Sequence, residues 1–296
     1  MKKIVLLMFT VLLYSHALAG GAGTTAFQVL NIPMFAYDAS LANINIIQSQ
    51  NPSLIPFNSY SFTFTQVLHL VETKYSVASV SLPVSQYSGL GVSVILFDYG
   101  SMPRTYSNGS GGYIEDGQFG ATDKVVTLSY GLSLSDSFSG GLSMKYLKQE
   151  IDDVSYTGFA GSVSMLYFAD RNFTIGTGLN NFGEKIGEYS LPTNLYLAIS
   201  GNVSEKTSLI AEIDNYYNDD LYELKLAAET GFEKLMFRIG YTFPLKKQSF
   251  VDTNSSTITN FTLGIGLNFD FLFIDYAWMP KGDLGNIHMF SVMVRI

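Results

Sequence analysis

The sequence predicts an all-β fold: a transmembrane antiparallel β-barrel of about 14 strands with an N-terminal hatch or plug segment. Three observations carry this prediction: an export signal, the lack of any later apolar run long enough for a membrane-spanning helix, and repeated alternation of apolar and small polar residues. Hydrophobic residues make up 47% of the chain and charged residues only 14%. In a barrel, lipid covers this large apolar surface.

Residues 1–19 predict a signal peptide. Lys2 and Lys3 give a positive start, residues 4–14 form an apolar stretch, and Ala17-Leu18-Ala19 is a small-residue cleavage pattern. We expect the mature chain to begin near Gly20. Together with the strand pattern, this places the protein in the outer membrane of a Gram-negative-type bacterium, with outer-membrane lipid as its surroundings.

Composition excludes several classes of chemistry. The chain has no cysteine, which excludes disulfides and lipid attachment at a cleaved cysteine. Without Lys2 and Lys3, 15 basic residues stand against 25 acidic ones, a balance that argues against nucleic acid as a partner. We expect no cofactor.

Period-two alternation is the main signal for strands, because successive side chains of a strand point to opposite faces. In residues 125–134 one face carries Val126, Leu128, Tyr130, Leu132 and Leu134, and the other carries Val125, Thr127, Ser129, Gly131 and Ser133. The same pattern recurs in residues 138–146, 235–243 and 261–269. A soluble sandwich or solenoid also alternates, but a face of Ser, Gly, Thr and Asn opposite Phe and Tyr near strand ends favours a barrel.

Extending this reading along the chain predicts fourteen strands. They are residues 60–67, 73–83, 89–98, 122–134, 137–149, 154–168, 173–182, 191–201, 206–215, 221–231, 234–243, 257–268, 271–279 and 288–296. Short connections are expected at 135–136, 169–172, 204–205, 233 and 270, and long ones at 99–121, 183–190, 216–220, 244–256 and 280–287. Short turns at one end and long loops at the other are typical of outer-membrane barrels, with the turns in the periplasm.

The barrel is predicted to span residues 59–296, and residues 20–58 have a different character. They alternate weakly and contain Pro33, Pro52 and Pro56, which suits neither a barrel strand nor a long helix. We expect this segment to be a hatch or plug in the lumen; a disordered periplasmic tail is the alternative.

Titratable residues give no catalytic pattern. His69 and His288 are the histidines outside the signal peptide and stand in no metal or nucleophile motif, so we predict that the protein is not an enzyme and holds no metal. Eight charged residues fall on predicted inward faces: Lys145, Glu212, Asp214, Glu223, Lys225, Glu229, Arg238 and Arg295. We expect them to form a paired network that braces the wall, with a substrate site as the alternative. Asp214, Asp219 and Asp220 are interpreted as a solvated loop rather than a calcium site.

Several segments in order carry a family resemblance. They are Gly21-Ala22-Gly23-Thr24-Thr25-Ala26-Phe27, Ile32-Pro33, Asn51-Pro52, Asp98-Tyr99-Gly100-Ser101-Met102-Pro103-Arg104-Thr105, Lys145-Tyr146, Ile151-Asp152-Asp153, Thr157-Gly158-Phe159-Ala160 and Gly178-Leu179-Asn180-Asn181-Phe182-Gly183. The set resembles the PorV/PorQ family of outer-membrane proteins, which is related to the FadL-type barrels that pass long-chain fatty acids and other hydrophobic compounds. The resemblance implies a fourteen-stranded barrel whose hatch contains Asn51 and Pro52.

The favoured function is FadL-like passage of a hydrophobic, fatty-acid-like small molecule. Apolar residues of the predicted hatch would supply a lumen pocket, and the candidate ligand-binding residues are Phe27, Leu30, Ile32, Met34, Phe35, Asn51 and Pro52. A PorV-like accessory of a type IX-type secretion system, which binds exported proteins at the cell surface, is the alternative. A structural, surface-exposed barrel without transport is the second alternative.

Overall fold

A computed structural model describes residues 25–68, 73–245 and 257–296. Their strands form one closed antiparallel barrel of 14 strands, each paired with its neighbours in chain order. β1 and β14 close the barrel in a register that runs from Ser61 opposite Arg295 to Leu68 opposite His288. The predicted fold class is therefore confirmed, while the predicted signal peptide and His69 lie outside the described residues. None of the helices in these ranges is long and apolar enough to cross a membrane.

Twelve of the fourteen strands have bounds within a few residues of the predicted segments, and β3 and β4 are longer than predicted. The strands are β1 Ser61–Leu68, β2 Lys74–Ser85, β3 Ser88–Ser107, β4 Tyr113–Ser135, β5 Phe138–Ile151, β6 Val154–Phe168, β7 Phe173–Phe182, β8 Asn194–Ser204, β9 Thr207–Tyr216, β10 Leu221–Phe232, β11 Leu235–Pro244, β12 Phe261–Phe269, β13 Leu272–Pro280 and β14 Asn286–Arg295. Alternation gives each strand two faces: in β4 the outward Leu128 is 54% exposed and the inward Ser129 only 1%. The apolar side chains therefore face the lipid and the small polar ones face the lumen.

The two ends of the barrel differ. Short connections of two to four residues join β2 to β3, β4 to β5, β6 to β7, β8 to β9, β10 to β11 and β12 to β13, and we call this end the turn end. The other connections lie at the loop end. There the prediction of a long loop over 99–121 was wrong, because β3 and β4 continue as a hairpin to Ser107 and from Tyr113. Gly100 and Pro103 lie at irregularities of this hairpin, between Asp98 and Ser101 and between Pro103 and Thr105.

Residues Thr25–Tyr60 lie inside the barrel, and we call them the interior segment. They contain one short helix, α1 (Ala36–Ser40), and 3-10 turns at Gln28–Asn31, Asn45–Ile47 and Ile55–Phe57. α1 contacts β11 to β14, the second turn contacts β7 and β8, and the third contacts β2 to β4. The segment starts at the loop end, where the Ala26 amide donates to the Ser190 carbonyl, and leaves at the turn end, where Tyr60 accepts from the Ile296 amide.

Candidate functional site

An apolar layer crosses the lumen towards the loop end. Phe27, Val29 and Phe35 of the interior segment are almost completely buried there. The wall contributes Val67, Tyr75, Val77, Ile95, Phe97, Val125, Leu147, Ala277, Met279, Ile287 and Met289. Leu30, Ile32 and Met34 pack against the same cluster. We call this cluster the loop-end apolar layer; a water-filled barrel has a polar lumen instead.

Three cavities lie along the interior segment. A loop-side cavity of about 440 Å³ is bounded in part by Asp219 and Glu223. A central pocket of about 80 Å³ follows, and a turn-side cavity of about 500 Å³ lies beyond it. The interior segment therefore leaves the lumen only partly filled.

The structure brings together most of the sequence-predicted ligand-binding residues. The central pocket is lined by five of them: Leu30, Ile32, Met34, Asn51 and Pro52. Phe35 instead borders the turn-side cavity, and Phe27 is packed in the apolar layer. A ligand-binding role for these residues stays a prediction.

Asn51 ties its turn of the interior segment to the wall. Its Nδ2 donates to the Asn45 carbonyl at 2.8 Å and to the Tyr196 hydroxyl at 3.1 Å. Its Oδ1 accepts hydrogen bonds from Ser53 and from Ser164 of β6. Since all these groups are buried, each donor or acceptor lost here would be costly.

Two wall glycines make room for Pro52. Gly131 of β4 and Gly141 of β5 are direct cross-strand partners. A Cβ on either residue would overlap the Pro52 carbonyl. The Ser139 hydroxyl donates to the next carbonyl, that of Ser53, at 2.7 Å. These small inward residues therefore form a seat for the interior segment.

Glu212 of β9 holds the second 3-10 turn. Its carboxylate accepts hydrogen bonds from the Asn45 amide at 2.8 Å, from Asn45 Nδ2 at 2.8 Å and from the Ile46 amide at 3.3 Å. A carboxylate at the start of a helical turn satisfies amides that have no partner within the turn. The inward acid thus anchors the interior segment, a role that alternation along β9 does not reveal.

The predicted network of inward charges is present in part. Lys225 Nζ lies 2.9 Å from Asp214 Oδ2 and 3.8 Å from Glu223. Arg238 pairs with Glu229 and with Asp275. Sequence reasoning missed Asp275, although it lies on the inward face of β13.

Two members of that predicted network behave differently. Lys145 takes part in no ion pair among the described residues; its Nζ donates to Asn181 Oδ1. Arg295 is exposed at the turn end, where it lies over the Phe273 ring with 4.6 Å between Cζ and the ring centroid. Neither side chain braces the wall through an ion pair.

The interpretation of Asp214 and Asp219 as a solvated loop was wrong. Asp214 is fully buried in β9, and Asp219 is 6% exposed because the start of the interior segment covers it. Thr25 Oγ1 donates to Asp219 Oδ1 at 2.8 Å. No group of three or more His, Asp or Glu suited to a metal occurs in the described ranges, and His288 contacts the Tyr276 hydroxyl through Nδ1 at 2.8 Å.

The wall is irregular beside the central pocket. Between Gly161 and Val163 of β6 the partner shifts from Phe182 to Leu179 of β7, so β7 carries a bulge. Asn181, with φ of 56°, lies in this bulge, and its amide donates to Ser162 Oγ at 3.2 Å. Side chains thus replace regular strand pairing at this point.

Solved structures of several known proteins share this architecture. The fold matches that of the FadL-like barrels. The toluene transporter TbuX of Ralstonia pickettii aligns with a TM-score of 0.59 and 11% identity, over 93% of this chain and 99% of that chain. The toluene transporter TodX of P. putida aligns with a TM-score of 0.62 and 10% identity, over 86% and 94%. A Pseudomonas aeruginosa FadL homologue aligns with a TM-score of 0.55 and 10% identity, over 94% and 98%.

At these identities the likeness concerns the fold. No family model matches the chain, and no curated protein matches it. Membership of the PorV/PorQ family, which the sequence resembles, therefore stays a prediction.

Proposed function

We propose that this protein lies in the outer membrane of a Gram-negative-type bacterium and passes hydrophobic small molecules across it. The observation that carries the proposal is the loop-end apolar layer. A hydrophobic solute lowers its free energy when it enters such a layer, because its apolar surface is removed from water. The structural neighbours described as toluene transporters and monoaromatic hydrocarbon channels support the proposed passage of hydrophobic molecules.

The interior segment is proposed to act as the hatch of this route. Its side chains fill the apolar layer, and Phe27 and Val29 are almost completely buried in it. A solute of the size of toluene therefore has to displace part of the segment. Passage then requires motion of the segment relative to the wall.

We propose that the interior segment moves as one unit, because hydrogen bonds link its parts. Gln48 Nε2 donates to Asn43 Oδ1 at 2.9 Å, and the Ser49 amide donates to Asp38 Oδ1 at 3.3 Å. Asn51 Nδ2 reaches back to the Asn45 carbonyl. These contacts link α1 to the turns that follow, so that a displacement at one end is transmitted along the segment.

Uptake of radiolabelled toluene by porin-deficient Gram-negative cells that express the full chain tests the proposal. Met34→Gln keeps the length of the side chain but places an amide against the apolar layer, and should lower uptake about tenfold. Met34→Leu keeps an apolar side chain and should retain uptake. Wild-type cells that take up toluene no faster than cells without the protein would refute the proposal.

The β3–β4 hairpin favours a second function, the PorV-like handling of exported proteins. It carries Tyr106, Tyr113 and Ile114 exposed at the loop end, at 50%, 68% and 57%. Exposed aromatic residues on a projecting element suit protein recognition. A pull-down from the native envelope that recovers secreted proteins with the wild type, and loses them when Tyr106 and Tyr113 are changed to Ser, would support this function.

A further inference from the structure

The three cavities of the lumen are neighbours in a row. Asn31, Asn43 and Tyr216 line both the loop-side cavity and the central pocket. Gln50 lines both the central pocket and the turn-side cavity. Each cavity is thus separated from the next by side chains that the two cavities share, and the row runs from one end of the barrel to the other.

Polar side chains dominate the middle of this row. Seven asparagines border the central pocket: Asn31, Asn43, Asn45, Asn51, Asn180, Asn181 and Asn194. Asn194 is 4% exposed, and its Nδ2 donates to Asp214, while its Oδ1 accepts no hydrogen bond from the described residues. A buried carbonyl oxygen of this kind needs a donor, which water or a hydrated solute supplies.

Lys145 gives the central pocket its charge. It is the pocket's one charged lining residue among the described residues, and it forms no ion pair there, whereas Lys225 and Arg238 are each paired with acids. Its ammonium has three N–H donors, of which one is directed to Asn181. An ammonium held away from bulk water without a counter-charge attracts an anion.

Gln50 is suited to be the movable barrier of the row. Its side chain makes no hydrogen bond with the described residues, so its rotation breaks none. Its Oε1 lies 3.4 Å from the position of a Cβ on Gly91, and Ile55 Cδ1 lies 3.0 Å from it. Both side chains therefore fill the space between the segment and β3. Since Gln50 lines both the central pocket and the turn-side cavity, a change of its rotamer alters the space between them.

We propose that the lumen holds a polar route for small monovalent anions, such as chloride or formate, with Lys145 as its selectivity residue and Gln50 as its gate. A pocket of about 80 Å³ admits an ion of this size with its waters, since about 10–15 Å³ of such cavity volume holds one water. The anion lies against Lys145 and its water donates to Asn194 Oδ1. This route borders the apolar layer through Leu30, Ile32 and Met34. It differs from the proposed passage of hydrophobic molecules in its dependence on Lys145, which lies outside that layer.

Single-channel recording in planar bilayers under a potassium chloride gradient tests the route. The wild type should prefer chloride over potassium by about threefold or more, because Lys145 is the one charged residue that the described part of the chain places in the central pocket. Lys145→Gln keeps a donor for Asn181 but removes the charge, and should bring the preference close to one. Lys148→Gln is the matched control, because Lys148 lies on the same strand in an ion pair with Glu150, and should leave selectivity unchanged.

Gln50→Ala removes the barrier and should raise the conductance several-fold without changing the preference for chloride. Absence of ion current in both the wild type and Gln50→Ala would overturn the proposal. So would a preference that is the same in Lys145→Gln as in the wild type. Toluene uptake by Lys145→Gln should stay at the wild-type level, which separates this route from the proposed function.

Discussion

Replacing Gly141 with alanine should loosen the seat of the interior segment. An alanine Cβ at this position would lie 2.7 Å from the Ser53 amide nitrogen and overlap the Pro52 carbonyl. Backbone cannot rotate away as a flexible side chain does, so the segment has to shift. Overpacking of a well-filled site costs about 1–3 kcal/mol. Here that cost destabilises the state in which the interior segment packs against Gly131 and Gly141.

Gly140→Ala, at the adjacent residue, is the matched control. A Cβ on Gly140 meets only Leu134 Cδ1 at 3.6 Å and the Ser164 carbonyl at 3.7 Å, which are ordinary contacts. Gly140→Ala therefore introduces the same methyl group on the same strand without touching the interior segment. Any effect of alanine on β5 itself is shared by both variants.

Amide hydrogen exchange of the purified, detergent-solubilised protein measures the difference. The Ser53 amide donates to Ser164 Oγ at 3.1 Å, and the Leu54 amide donates to the Asn51 carbonyl at 2.9 Å. If these amides exchange through release of the segment, a cost of about 1–3 kcal/mol speeds exchange about 5- to 150-fold. Equal exchange rates in Gly141→Ala and Gly140→Ala would refute the claim that Gly141 makes room for the interior segment.

Two further predictions concern the anchors of the interior segment. Glu212→Gln loses the charge-assisted bonds to Asn45 and should speed exchange of the Asn45 amide about tenfold, whereas Glu229→Gln, which does not touch Asn45, should leave that amide unchanged. Burial raises the pKa of Asp38 from 3.8 to about 7, so the native state holds a proton that the unfolded chain releases. The contribution of Asp38 to stability should therefore fall as pH rises from about 4 to about 7 and then level off. Asp38→Asn should make the pH dependence less steep in thermal unfolding scans, and an unchanged slope would contradict the assignment.

The barrel could be predicted from the sequence because the residues within each strand alternate according to the two environments that its faces contact. Lipid on one side and the lumen on the other impose period-two alternation, and this located twelve of the fourteen strands within a few residues. The β3–β4 hairpin escaped prediction because its two strands pair with each other beyond the wall. There no lipid face enforces alternation, and Gly100 and Pro103 at the irregularities look like loop residues.

The contacts of the lumen could be predicted only in part. Inward charges were visible from alternation, but their partners depend on cross-strand register and on where the interior segment passes. Asp275 of β13 meets Arg238 of β11 across the intervening β12, and Glu212 meets an interior turn that lies far from it in sequence. The local sequence pattern does not show which residues form such pairs. Nor does it show that Lys145 has no acid beside it among the described residues.

The central claim is that hydrophobic molecules pass only when the interior segment moves, and a reversible tether tests it most directly. Ser53 Oγ and Ser164 Oγ are 3.0 Å apart, and a disulfide between cysteines at these positions has no competitor because the chain contains no cysteine. The matched control is a wall-to-wall pair at Thr207 and Thr230, whose hydroxyls are 2.9 Å apart. Toluene uptake should fall to the background level when the Ser53→Cys, Ser164→Cys protein is oxidised and recover on reduction, while the control pair shows no change. Uptake by the oxidised, tethered protein at the rate of the reduced one would contradict the account.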